Sequence, residues 1–299
     1  MSASHEADAL FEEAAERLRG ESMARDLAAA RELFRQAGEK GRRDASVIHA
    51  NLLAAGVGGS RDWAGALGHL ARMAREDRRC ASQLALIEGM DLTDDGDPLA
   101  VPAPERVSDS PDILLFRGLF TPAECAWLAS AARPMLQPSV VVDAATGRQT
   151  RDPVRTSDGM GFTWPLENPA VHALNRRIAV ASATSPEQGE PLQVLRYRPG
   201  EQYRTHFDFI PGFANPRVMT MIVWLNREFA GGETHFPVPG LALRGAPGDA
   251  ILFRNVDREG RRDPASAHSG QPVREGEKIV ASRWIRAKPF EPPAGGKAG

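Results

Sequence analysis

The sequence predicts two architectures in one chain of 299 residues. Residues 1–92 read as an all-α helical-repeat region. Residues 112–291 read as an α+β domain, a double-stranded β-helix (jelly roll) backed by helices. Three observations carry this division. Residues 7–90 contain no proline and space their apolar residues by three and four. Residues 93–111 are acidic and punctuated by proline, which marks a linker. From Ile113 onward the period changes, and short apolar runs alternate with proline and glycine.

The helical region repeats itself. A shift of 36 residues places Arg25-Asp26-x-Ala28-x-Ala30 on Arg61-Asp62-x-Ala64-x-Ala66, and Arg42-Arg43-x-Ala45-Ser46 on Arg78-Arg79-x-Ala81-Ser82. A period of this length, with small residues where helices touch, predicts paired helices stacking on their neighbours. The segment resembles the Sel-like branch of the tetratricopeptide repeats, including the small residues at Ala37-Gly38 and Ala54-Ala55-Gly56. An alanine-rich helical bundle with accidental self-similarity is the competing reading. The resemblance implies a surface that docks a protein or peptide partner.

In the second region, Ile113-Leu-Leu-Phe116 reads as a strand. Thr121-Pro-Ala-Glu124 opens a helix through about Ala132, with a capping threonine, proline at the first helical position and glutamate at the third. A second helix spans about 168–182. Strands follow at 192–197, 202–209, 218–225, 233–236, 250–253, 265–269 and 278–286. The stretches Thr146-Gly147-Arg148 and Asp158-Gly159-Met160-Gly161 read as loops. The tail from 292 to 299, rich in glycine, proline and lysine, reads as flexible.

Bulk properties narrow the function. A net charge of −2, with 42% hydrophobic and 25% charged residues, is ordinary globular composition and lacks a broad basic footprint for nucleic acid. No apolar run reaches the ~20 residues that span a bilayer, and the amino terminus lacks the apolar core of a signal peptide. Cys80 and Cys125 lack metal-ligand spacing and read as buried thiols. No membrane, no nucleic acid and a cytoplasmic home are the expectations.

One constellation carries chemistry. His206 and Asp208 are two apart on an expected strand, so both point to one face. Alone, such a pair is better read as a surface strand. A distant His268, with Lys278 ten residues beyond it, changes that reading. Two imidazoles and one carboxylate bind one face of Fe(II) and leave open positions. A hairpin centred on Val273 would make His268 and Lys278 cross-strand partners, with the lysine anchoring a carboxylate deeper in the barrel.

The matching stretches are Tyr197-Arg-Pro-Gly200-Glu-Gln-Tyr203-Arg-Thr-His206-Phe-Asp208, Arg217-Val-Met-Thr220-Met-Ile-Val-Trp-Leu225-Asn226, Gly231-Gly-Glu-Thr-His-Phe-Pro237, Pro247-Gly248-Asp249-Ala-Ile-Leu-Phe253 and His268-Ser-Gly-Gln-Pro-Val273 through Lys278 to Trp284. In these, residues 112–288 resemble the prolyl 4-hydroxylase type of Fe(II)/2-oxoglutarate dioxygenase. The resemblance implies that His206, Asp208 and His268 bind iron and are the catalytic centre. It implies that Lys278 binds the distal carboxylate of 2-oxoglutarate, that Tyr197 hydrogen-bonds this cosubstrate, and that Tyr203 lines the pocket. Arg155 and Arg217 are expected to face a substrate backbone, although an arginine is more often a solvated side chain or a surface ion pair. Thr220 reads as a strand residue before a cosubstrate contact, His235 falls outside the site, and Trp224 and Trp284 read as packing.

The implied cofactors are Fe(II), 2-oxoglutarate and O2, with ascorbate as an accessory reductant. The implied reaction hydroxylates a C–H of a prolyl or other residue in a peptide or protein, releasing succinate and CO2. Hydroxylation of a free amino acid or small metabolite is the alternative. A non-catalytic repeat adaptor is a third, opposed by the intact ligand set.

Overall fold

The computed structural model describes residues 3–142 and 149–294. The chain divides into two compact units. One comprises Met1–Ala100, Phe162–Arg177 and Glu291–Gly299; the other comprises Val101–Gly161 and Ile178–Phe290. Thr146-Gly147-Arg148 and residues 295–299, read from the sequence as loop and tail, lie outside the described residues.

Among the described residues the first unit holds the start of the helix Pro169–Ser182 and five whole helices: Ala3–Arg19, Leu27–Glu39, Arg43–Ala55, Trp63–Ala74 and Arg78–Glu88. Each packs on the next in sequence. The 36-residue period is visible in where helices start. Leu27 and Trp63 open equivalent helices, and the preceding aspartates cap both: Asp26 accepts from the Ala29 amide at 3.0 Å, and Asp62 from the Gly65 amide at 2.8 Å. Each cap satisfies a backbone N–H that the helix itself cannot. The helices approach closely because their contact residues are small: Ala14, Ala30, Ala37 and Ala45 are fully buried around Phe34 and Leu52. Trp164 packs against this cluster, and Asn51 donates to the Pro165 carbonyl at 2.8 Å. Among the described residues no helix is long and apolar enough to cross a membrane.

The second unit is β-rich. Its large sheet has eight strands in the order 105–109, 112–116, 250–254, 217–224, 278–286, 192–197, 158–162 and 137–138. A smaller sheet orders 241–243, 234–236, 268–270 and 203–206. All recorded strand pairs are antiparallel. Side chains of both sheets meet in one core, where Tyr197, Trp224, Ile251, Phe253 and Val280 of the large sheet pack with Phe236 of the small one. This is the two-sheet jelly roll expected from the sequence. The helix Pro122–Ala132 carries the expected capping box, Thr121 accepting from the Glu124 amide and Glu124 from the Thr121 amide. It meets the large sheet through Cys125, whose thiol is 3.8 Å from the Trp224 carbonyl oxygen.

Two expectations need correction. Asp158-Gly159-Met160-Gly161 is strand rather than loop, running Asp158–Phe162 beside Leu192–Tyr197. The glycine signal reflects close packing: a Cβ on Gly159 would sit 2.9 Å from the Leu195 side chain. Within the segment read as linker, Glu105–Asp109 is a strand antiparallel to Asp112–Phe116, held by Val107 packing on the core.

Candidate metal centre and active site

The small sheet builds the metal site. His206 ends the strand Tyr203–His206, and the antiparallel register sets His268, which opens His268–Gly270, directly opposite. Because the neighbouring strand starts at His268, the ladder has no partner beyond His206. The chain therefore leaves the sheet there, and Asp208 lies past the strand end, in a bend. The expectation that His206 and Asp208 share a strand face is corrected accordingly. The bend still returns the carboxylate to the imidazoles: His206 Nε2 is 3.5 Å from Asp208 Oδ1, and His268 Nε2 is 3.6 Å from Asp208 Oδ2. One ligand atom from each residue lies within 4.8 Å of the others.

Hydrogen bonds orient these ligands. His206 Nδ1 is 2.8 Å from the Arg204 carbonyl oxygen and His268 Nδ1 is 3.0 Å from that of Ser266. Each carbonyl holds a proton on Nδ1 and leaves the Nε2 lone pair free to bind a metal. Thr220 donates its hydroxyl to Asp208 Oδ2 at 2.6 Å and accepts from Asn255 Nδ2 at 3.0 Å. Burial pushes the Asp208 carboxyl up, but His268, His206 and Thr220 together outweigh it and hold the group well below the usual carboxylate range. Burial drives His268 down to about 4. The site therefore presents neutral imidazole at His268 beside ionised carboxylate, the protonation states that a metal requires.

Lys278 reaches the same cavity by a route other than the expected hairpin. It pairs with Tyr197 in the large sheet, whereas His268 pairs with His206 in the small one. Val273–Gly276 instead pairs with Phe229–Gly231, which draws the chain away from a direct 268–278 ladder. The two residues meet because the sheets face each other. His206, Asp208, His268, Lys278, Tyr197 and Tyr203 all line one cavity, with Leu195, Ile222, Val280 and Trp284 as apolar wall. It encloses about 460 Å³ of atom-free space, counting its open mouth. Lys278 is 4% exposed, and its ammonium donates to the Gly232 carbonyl at 2.6 Å. Burial lowers its pKa to about 8, partly offset by Glu233.

The remaining candidates are distributed around this centre. Tyr197 is buried beside Lys278, hydrogen-bonded to Ser157, and burial raises its phenol to about 12. Tyr203 stacks on His206, ring centres 3.5 Å apart and planes 13° from parallel. The Arg155 guanidinium lies over the Tyr203 ring, 5.6 Å from its centre, and its Nε is buried without a partner. Arg217 is held by Glu190 through two bonds of 2.6 and 2.8 Å and lies 3.7 Å over the Trp284 ring. Glu190 also accepts from Arg286 at 2.6 Å. The expectation for Trp284 is corrected, since it lines the cavity, whereas Trp224 is fully buried packing. Thr234 lines the cavity, so the next residue on its strand, His235, projects to the other face.

Thr220 does more than fill a strand position, since it orients Asp208, and Asn255 supports it from the next strand end. A polar residue at the centre of an otherwise apolar strand was the available signal for Thr220. For Asn255, which follows the strand Ala250–Arg254, no local signal existed.

The donor set fits a divalent iron: two imidazoles and a carboxylate converge, and a buried ammonium shares their cavity. The chain belongs to the 2OG-Fe(II) oxygenase superfamily, which residues 192–286 match. Within it, the catalytic domain is prolyl 4-hydroxylase-like and the chain is a 2-oxoglutarate-dependent dioxygenase, with Fe(II) and 2-oxoglutarate as the cofactors typical of that superfamily. It is 39% identical over 204 residues to prolyl 4-hydroxylase 1 of Arabidopsis thaliana, covering 62% of this chain and 72% of the relative. It is 33% identical over 213 residues to prolyl 4-hydroxylase 2 of the same plant, covering 62% and 71%. The solved viral collagen prolyl hydroxylase of Paramecium Bursaria Chlorella virus-1, in its 2OG complex, is similar over 61% of this chain and 99% of its own, with 26% identity and a TM-score of 0.48.

Proposed function

We propose that this protein hydroxylates a C–H of a prolyl residue, or of another side chain, within a peptide or protein. The observation that carries the reading is the convergence of His206, Asp208 and His268 with the buried ammonium of Lys278 in one cavity. Relatives named prolyl 4-hydroxylase at 39% and 33% identity support prolyl as the first substrate to test.

When bound, Fe(II) with 2-oxoglutarate and O2 supplies the oxidising chemistry, in which the keto acid leaves as succinate and CO2 and one oxygen atom enters the substrate as hydroxyl. His206 and His268 bind the metal through Nε2 and Asp208 through its carboxylate. Thr220 keeps that carboxylate turned toward the imidazoles. Lys278 neutralises the far carboxylate of 2-oxoglutarate, and Tyr197 donates its phenolic proton to the cosubstrate. Tyr203 braces the His206 ring, and Leu195, Ile222, Val280 and Trp284 keep water from the reacting centre. Arg155, layered over Tyr203, offers a guanidinium to a carbonyl of the substrate backbone. The helical unit is a Sel-like repeat that docks the polypeptide, and the protein acts in the cytoplasm, where its two buried thiols stay reduced.

The test is anaerobic loading with Fe(II) and 2-oxoglutarate, then oxygen, with proline-containing peptides set against free amino acids. Succinate release stimulated by a peptide that gains one oxygen in mass supports the reading. Stimulation by free amino acids alone replaces it with a small-molecule hydroxylase.

A further inference from the structure

The helical unit carries a second polar cavity, larger than the catalytic one, with about 700 Å³ of atom-free space including its open side. Its walls come from the helices Leu27–Glu39, Arg43–Ala55 and Trp63–Ala74, and its polar lining is Arg31, Glu32, Arg35, Asp62, His49 and His69.

Two of these side chains have no internal reason to be polar. His49 is 6% exposed. Among the described residues its ring makes only an edge contact with His69, centres 5.1 Å apart and planes at 89°, and no hydrogen bond to protein. Its ring nitrogens keep access to the open side of the cavity, where a ligand would meet them. Arg31 donates to the Ser60 carbonyl at 2.9 Å and has no carboxylate within ion-pair distance among the described residues. Both acids, by contrast, are already engaged. Glu32 accepts from Arg35 at 2.6 and 2.9 Å and from Gln36 at 2.8 Å. Asp62 caps its helix through the Gly65 amide.

The sign of the cavity follows. Among the described residues Arg31 has no ion-pair partner within reach, although the Asp62 carboxylate across the cavity acts on it at longer range. Burial holds His49 neutral, down to about 4, and the neighbouring His69, then Arg31 and Arg35, press it in the same direction against the weaker pull of Glu32. His69 is lowered by burial and by Arg72, with Asp62 and Glu39 pulling the other way. Two neutral imidazoles could suit a divalent cation, but no third ligand joins them, and the field at His49 is positive. Each neutral ring instead offers one N–H. We propose that this cavity binds a carboxylate, paired with Arg31 and hydrogen-bonded by His49 and His69. Its source is an acidic side chain of a polypeptide or a free dicarboxylate. This assignment is independent of the oxygenase chemistry.

The test uses the full-length, iron-free protein with isotope-labelled histidine, its His49 and His69 resonances assigned by His49→Gln and His69→Gln. Three probes are titrated: an acetylated glutamate oligopeptide, the matching glutamine oligopeptide, and glutarate. The expected result is a saturable shift of both imidazoles with the glutamate peptide or glutarate, none with the glutamine peptide, and affinity weakened about tenfold or more by Arg31→Gln. Whichever carboxylate saturates first identifies the source, and occupancy of the catalytic cavity by glutarate is read separately at His206 and His268. Arg31→Lys, which keeps the charge, should retain part of the affinity. Absence of any shift, an equal shift with the glutamine peptide, indifference to Arg31→Gln, or saturation by Zn2+ alone overturns the proposal.

Discussion

Lys278 lies directly across the large sheet from Tyr197, its ammonium 5.3 Å from the centre of the Tyr197 ring. The pair closes the cavity on the side of the large sheet, while the metal ligands enter from the small sheet.

Truncating the cation should strike the cosubstrate before the metal. Lys278→Ala is expected to raise the KM for 2-oxoglutarate by about 100-fold, since losing a buried charge partner costs about 2–5 kcal/mol. Iron affinity should change little. Initial rates of succinate formation against 2-oxoglutarate, beside a metal titration, measure both.

The same residue predicts a pH profile. Burial lowers Lys278 from 10.5 to about 8, so its ammonium is present below that pH and lost above it. The KM for 2-oxoglutarate should stay flat below about pH 8 and climb toward tenfold per unit above it. A Lys278→Arg enzyme that retains activity should lack the rise, because guanidinium stays charged. A wild-type profile level to pH 9.5 would show that the ammonium stays protonated there instead of titrating near 8.

His268→Ala should abolish Fe(II) binding and succinate release while the fold persists. The ring is 4% exposed between Phe236 and Phe253, with centres 5.6 and 4.7 Å away. Its loss therefore also costs packing, on the order of 1–3 kcal/mol. Circular dichroism and a denaturant titration separate the two effects.

Thr220 should act through Asp208 rather than by touching the metal. Thr220→Val removes the hydroxyl donated to the carboxylate and leaves Asn255 Nδ2 without an acceptor. Metal affinity is expected to fall about 10–100-fold, and Thr220→Ser should restore most of it. Equal Fe(II) affinity in wild type and Thr220→Val would show that the hydroxyl is dispensable.

Acid should weaken the fold through buried neutral histidines. His49 is held at about 4 against 6.5 when unfolded, so below pH 6.5 the unfolded chain takes up the proton first. The stability associated with neutral His49 is complete above about pH 6.5 and declines as pH falls toward 4. His268 contributes with the same sign. Denaturation midpoints at pH 7 and 5 should converge somewhat in His49→Gln.

Much of this was written locally in the chain. Thr121-Pro-Ala-Glu124 names its own helix start because capping is a contact among neighbours, and Asp26 and Asp62 repeat the same logic one period apart. Strands 192–197 and 278–286 were legible to the residue from apolar runs bounded by proline and glycine. The identities of the four central site residues were legible from their order. How they meet was not. His268 and Lys278 appeared to be hairpin partners because a symmetric turn lay between them, yet each pairs with a strand far back in sequence. Strand exchange between sheets is a long-range choice that local pattern does not encode. Arg217 illustrates the same gap: only the fold brings Glu190 to it.

On the proposed reading the metal ligands stand on one wall and the Lys278 ammonium that would hold the far carboxylate on the opposite one, so the spacing between walls becomes a ruler. A keto diacid must be long enough to touch both ends and short enough not to buckle. The side chains packed between the sheets therefore choose the cosubstrate by its number of carbons, and a bulkier or slimmer residue there would change which acid fits without altering any group that grips it.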